Sequence, residues 1–111
     1  MGTKDKGEII MSELRNPMRG VQTGEVSGSA TAKVLPAIVG SMIWIKAVAS
    51  NVGNVYLGIA GVTVVNGTTD ITSGFELVPG EQIGPLVLDN MSRLYIICDN
   101  AGDDITYFVM G

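Results

Sequence analysis

Three aspartates, Asp99, Asp103 and Asp104, form the densest group of potential chemistry in this 111-residue chain. Their oxygens could ligate Ca²⁺, but the group lacks the 1, 3, 5 spacing and the distal glutamate of the helical calcium loop, so a solvated hairpin turn is expected instead. Glu76 and Glu81 could supply the two carboxylates of glycoside hydrolysis. Nothing nearby supports that chemistry, and Glu81 directly follows the turn pair Pro79-Gly80. The chain has no histidine and one cysteine, Cys98. Triads of the Ser-His-Asp or Cys-His type are therefore impossible, a zinc site lacks ligands, and no intrachain disulfide can form. Cys98 ends the apolar run Leu94-Tyr95-Ile96-Ile97-Cys98, the setting of a buried, inert thiol. Gly53, Gly58 and Gly61 flank Val55-Tyr56-Leu57 and open no helix, so they make no phosphate cradle. The expectation is a protein that is not an enzyme and that uses no cofactor and no metal.

The elements around these residues read as strands. The chain has the length of one domain, is 46% hydrophobic and only 16% charged, and so folds around one core. After Gly28 the texture is β-branched runs cut by Gly, Asn, Asp and Pro. Strands are predicted at 30–35, 41–49, 54–59, 62–65, 74–77, 82–88, 94–98 and 105–110. Seven or eight short strands at this spacing predict an all-β, single β-sandwich of jelly-roll or Greek-key type. In Met42-Ile43-Trp44-Ile45-Lys46-Ala47-Val48, period-two alternation puts Ile43, Ile45 and Ala47 on one face, the predicted core. Trp44 falls on the other face with Met42, Lys46 and Val48, where a partner surface is expected to cover it; the alternative is that both faces are buried within one chain. Asn66-Gly67 and Pro79-Gly80 are predicted reversals.

Residues 1–28 read as an extended N-terminal arm, with a short helical turn at 9–14, and residues 29–111 as the sandwich domain. So little charge on so small a domain predicts burial of apolar surface against other copies or a partner. The arm contacts expected are Ile9, Ile10, Met11, Leu14, Met18 and Val21; those for self-association are Trp44 and Tyr56. The formal charge of −4 lies entirely beyond residue 25, where Lys33, Lys46 and Arg93 face seven carboxylates. Such a surface repels phosphate backbones, so no nucleic-acid partner is expected. Residues 1–8 are polar and no apolar run reaches the roughly 20 residues of a membrane span, so synthesis in a cytoplasm with no membrane partner is expected. The sequons Asn66-Gly67-Thr68 and Asn90-Met91-Ser92 then read as turn chemistry.

Between residues 41 and 109 the segments Asn51-Val52-Gly53-Asn54-Val55-Tyr56-Leu57-Gly58, Gly61-Val62-Thr63, Leu77-Val78-Pro79-Gly80-Glu81, Asp89-Asn90 through Leu94-Tyr95-Ile96, and Gly102-Asp103-Asp104-Ile105-Thr106-Tyr107 resemble small tailed-bacteriophage virion proteins. The pattern is similar to the β-sandwich modules of capsid decoration proteins and head fibres. That resemblance implies a virion protein on the capsid exterior, with the major capsid protein and further copies of itself, a trimer favoured, as partners. A head-fibre or tail adhesin that binds carbohydrate, and a head-completion or tail-tube component, are the alternatives. The matching residues are structural, so the resemblance transfers no functional residue.

Overall fold

The structure is a computed structural model that describes residues 20–111. Eight strands follow one another: β1 (Val21–Ser27), β2 (Lys33–Val34), β3 (Met42–Ala47), β4 (Val55–Gly58), β5 (Phe75–Leu77), β6 (Gln82–Val87), β7 (Tyr95–Cys98) and β8 (Asp104–Met110), with a 3₁₀ turn at Met91–Arg93. They form two antiparallel four-stranded sheets. Sheet I runs β1-β8-β3-β6 and sheet II runs β2-β7-β4-β5. Partners are nested, since β1 pairs with β8, β2 with β7, β3 with β6 and β4 with β5. This wrapping of a folded strip is the jelly-roll arrangement, the more specific of the two expected topologies.

Alternation decides which side chains meet between the sheets. Ile43, Ile45 and Ala47 of β3, Val26 of β1, and Ile105 and Val109 of β8 project inward from sheet I. Val55 and Leu57 of β4, Leu77 of β5, and Ile96 and Cys98 of β7 oppose them, and Leu35 and Met91 close the ends. Burial of the Val, Leu, Ile and Met side chains among these stabilises the sandwich by roughly 1.5–3 kcal/mol each before the entropy of ordering is set against it. The thiol of Cys98 lies in this layer, where burial pushes its pKa up.

The turns do the work expected of them. Gly80 has φ +89°, and the N–H of Glu81 donates to the Val78 carbonyl at 2.9 Å, closing a type II turn about Pro79-Gly80. In both sequons the asparagine Oδ1 accepts from the backbone N–H and the hydroxyl two residues on, Thr68 in one case and Ser92 in the other.

Three expectations are corrected. The arm does not extend to residue 28, because Val21–Ser27 pairs with β8 along its whole length and makes the sandwich begin at Val21. The run 62–65 forms a single bridge, Thr63 to Ser73, because Val62 packs against Gly58 and Gly74 and the chain continues as a loop. The run 30–35 is reduced to Lys33–Val34, and Leu35 leaves the sheet to plug the core.

Candidate functional site

The aspartate cluster is occupied by the protein's own backbone. Asp103, 3% exposed, accepts the N–H groups of Val52 and Gly53 on its two carboxylate oxygens, both at 2.9 Å. Asp99 accepts the N–H of Asn54 at 2.9 Å on one oxygen and the Tyr56 hydroxyl at 3.0 Å on the other. Asn51 completes the clamp: its Nδ2 donates to the Asp104 carbonyl at 2.8 Å and its Oδ1 accepts the Asp104 N–H at 2.9 Å. The 51–54 turn is thus tied to the 99–104 turn, and consecutive N–H groups receive the charge that would otherwise attract a cation. The expected solvated turn is corrected at Asp103, which is buried. Among the described residues no group of three or more Cys, Asp or Glu side chains is arranged to hold a metal.

The glutamates are likewise engaged separately. Glu76 accepts from Asn54 Nδ2, and the Glu81 carboxylate accepts the Val78 N–H at 3.0 Å across the type II turn.

Tyr56 is placed differently from expectation. It is 4% exposed on the outer side of sheet II, with Gly74, at the end of the 59–74 connection, lying against it. Val62 of the same connection, 2% exposed, packs against Gly58 and Gly74, and a Cβ on Gly74 would lie 2.7 Å from the Tyr56 Cβ. Neither residue belongs to the central core, so Tyr56 and Val62 form a satellite core roofed by the chain itself. Burial, and then the bond to Asp99, hold the Tyr56 phenol above its ordinary pKa. A ring enclosed in this way cannot serve as a self-association surface, and that assignment is withdrawn.

Trp44, by contrast, lies on the outer face of sheet I. Register across the four strands sorts that face into three rows. Val21, Met110, Met42 and Val87 stand side by side in the first, all apolar, with Val21 57% and Val87 81% exposed. Thr23, Phe108 and Trp44 form the second, the two rings meeting edge to face at 5.5 Å between centroids. Glu25, Thr106, Lys46 and Gln82 form the polar third. Gly84, at φ +144°, leaves the space that the indole occupies, since a Cβ there would lie 2.6 Å from Trp44 Cδ1. The second and third rows line an open groove of about 520 Å³.

Of the residues expected to make contacts, Trp44 and Val21 thus share one face. Ile9, Ile10, Met11, Leu14 and Met18 lie outside the described residues. Met42 joins Trp44 on this face as the alternation predicts, whereas Val87, Phe108 and Met110 carry no local signal that assigns them to it. A scan against protein-family models finds no match, and searches of curated proteins and of solved structures find none.

Proposed function

We propose that this chain is a structural, surface-covering protein of a tailed-phage particle that grips the outside of the head through the outer face of sheet I. The observation that carries the reading is the run of apolar side chains spanning all four strands of that face, from Val21 to Val87, next to the Trp44–Phe108 pair. Apolar surface that extends across a whole sheet and is bordered by polar groups is the composition of a protein contact. The nested eight-strand order supports the reading by analogy of fold alone, since viral capsid domains share it. In this reading the major capsid protein is the partner, and Ile9, Ile10, Met11, Leu14 and Met18 add contacts to the shell or to a neighbouring copy. Weak contacts repeated over a symmetric lattice sum to firm attachment without any catalytic step.

An electron-microscopy reconstruction of particles carrying the chain tests this. Density for the sandwich on the head exterior, lost when Met42 and Phe108 are both replaced by aspartate, is the expected result. Full occupancy with that variant, or no density on the shell, overturns the proposal.

A second reading, an adhesin for carbohydrate, draws on the groove itself. An indole and a phenyl ring beside Glu25, Lys46, Gln82 and Thr106 combine an apolar platform with hydrogen-bonding groups, as sugar recognition requires. Saturable quenching of Trp44 fluorescence by a glycan identified on an array would establish it in place of the first.

A further inference from the structure

The outer face is not the only part of sheet I open to a partner. A sandwich has four sheet edges, and among the described residues three are blunted. β2 has two residues and β5 three, while β6 is broken by a register shift opposite Ile43–Ile45 and by Pro85, which has no N–H. β1 is the exception, with seven regular residues at an edge.

The phase of its hydrogen bonds follows from its two ends. The N–H of Gly28 donates to the Asp103 carbonyl at 2.7 Å, and the N–H of Gly111 donates to the Gly20 carbonyl at 3.2 Å. In an antiparallel ladder such pairs recur at every second residue, so Gly20, Gln22, Gly24, Val26 and Gly28 direct their backbone groups at β8. Val21, Thr23, Glu25 and Ser27 therefore direct theirs away from the sheet. Lys33 Nζ donates to the Ser27 carbonyl at 2.7 Å and closes that end. Val21, Thr23 and Glu25 remain, with three N–H and three carbonyl groups and, among the described residues, no strand to receive them.

We infer that β1 pairs with β1 of a second copy, antiparallel about a two-fold axis at Thr23. This register sets Thr23 opposite its own counterpart and Val21 opposite Glu25, so that all six groups bond and the Lys33–Ser27 contact is kept. It is self-complementary, as a two-fold interface must be. No like charges oppose each other, since the two Glu25 side chains stand about 13 Å apart along the strands. The product is one eight-stranded sheet that carries two outer faces in a single plane. The inference stands on backbone geometry and does not need the shell-binding reading.

The test is the mass of the full chain in solution by sedimentation over about three decades of concentration. The expected result is a shift from 11.6 kDa to twice that value. Thr23→Pro removes an N–H that faces outward and keeps every bond to β8, so it is expected to hold the one-chain mass with an unchanged circular-dichroism spectrum. Thr23→Lys and Thr23→Glu are each expected to stay at the one-chain mass, because like charges then meet on the axis. An equimolar mixture of those two variants is expected to recover the two-chain mass, and it decides the matter if the proline variant does not fold. A one-chain mass for the unmodified protein throughout, variants that associate as it does, or a mixture that fails to recover would each overturn the inference.

Discussion

The two outer faces of the sandwich are built on the same scaffold of four antiparallel strands and meet opposite fates. On sheet II the 59–74 connection brings Gly74 against Tyr56 and packs its own Val62 against Gly58 and Gly74, both side chains are buried, and the phenol is anchored to Asp99. On sheet I nothing among the described residues lies over Met42, Trp44, Phe108 or Val87, and the aromatic pair is left half-open. Sequence composition does not separate the two, since both faces carry an aromatic residue and β-branched neighbours. What separates them is connection length: a long link between adjacent strands can fold back as a cover, whereas the strands of sheet I are joined through the opposite sheet.

This contrast can be broken from either side. The largest effect is expected at the clamp that fixes the roofed side. Asp103→Ala removes a buried carboxylate that accepts the backbone N–H groups of Val52 and Gly53 and should lower stability by about 2–3 kcal/mol in urea unfolding, with Asp103→Asn recovering part of the loss. Next comes the roof itself, where Val62→Ala should cost about 1–2 kcal/mol through lost burial and the cavity left behind. Equal substitutions on the bare face should behave otherwise. Met42→Ser combined with Val87→Ser is expected to change stability by no more than about 0.5 kcal/mol per site while reducing binding of an apolar fluorescent dye. If that pair destabilises as much as Val62→Ala, the face is covered and the contrast fails.

The smallest effect is a pH dependence. Because the folded state holds the Tyr56 phenol above its ordinary value of 10.0, the unfolded chain ionises first. The stability this contributes is complete below pH 10 and falls as pH rises through the folded-state pKa. Unfolding midpoints measured from pH 9 to 11.5 should fall more steeply for the natural chain than for Tyr56→Phe.

Much of the sandwich was legible because its central strands alternate cleanly: Ile43, Ile45 and Ala47 were assigned inward by period alone and are fully buried. β1 was not legible. At an edge, with Gln22 exposed and Gly24 lacking a side chain, only Val26 reports the buried side, so Val-Gln-Thr-Gly-Glu-Val-Ser carries no alternation to read. Tyr56 misled for a different reason. Its assignment to self-association required an open side chain, but the mixed apolar and polar 59–74 segment gives no local sign that Gly74 will lie against it. The role of Asp103 depends on Val52 and Gly53, about fifty residues away, and no motif joins segments so far apart. The bare face was half-read, since Met42 and Trp44 share β3 and follow from its alternation, but Val21, Phe108, Met110 and Val87 come from three other strands.

The nested strand order also sets the sequence of events in assembly. β1 touches no strand of its own sheet except β8, and Ser27 meets Asp104 across 77 residues. As the chain leaves the ribosome, β4 and β5 can join early, but the first strand must wait until nearly everything else has been made. During that interval β3 and β6 offer an unfinished sheet, and a chain cut short before Asp104 would expose both β1 and one side of β3 to any neighbour with a free strand.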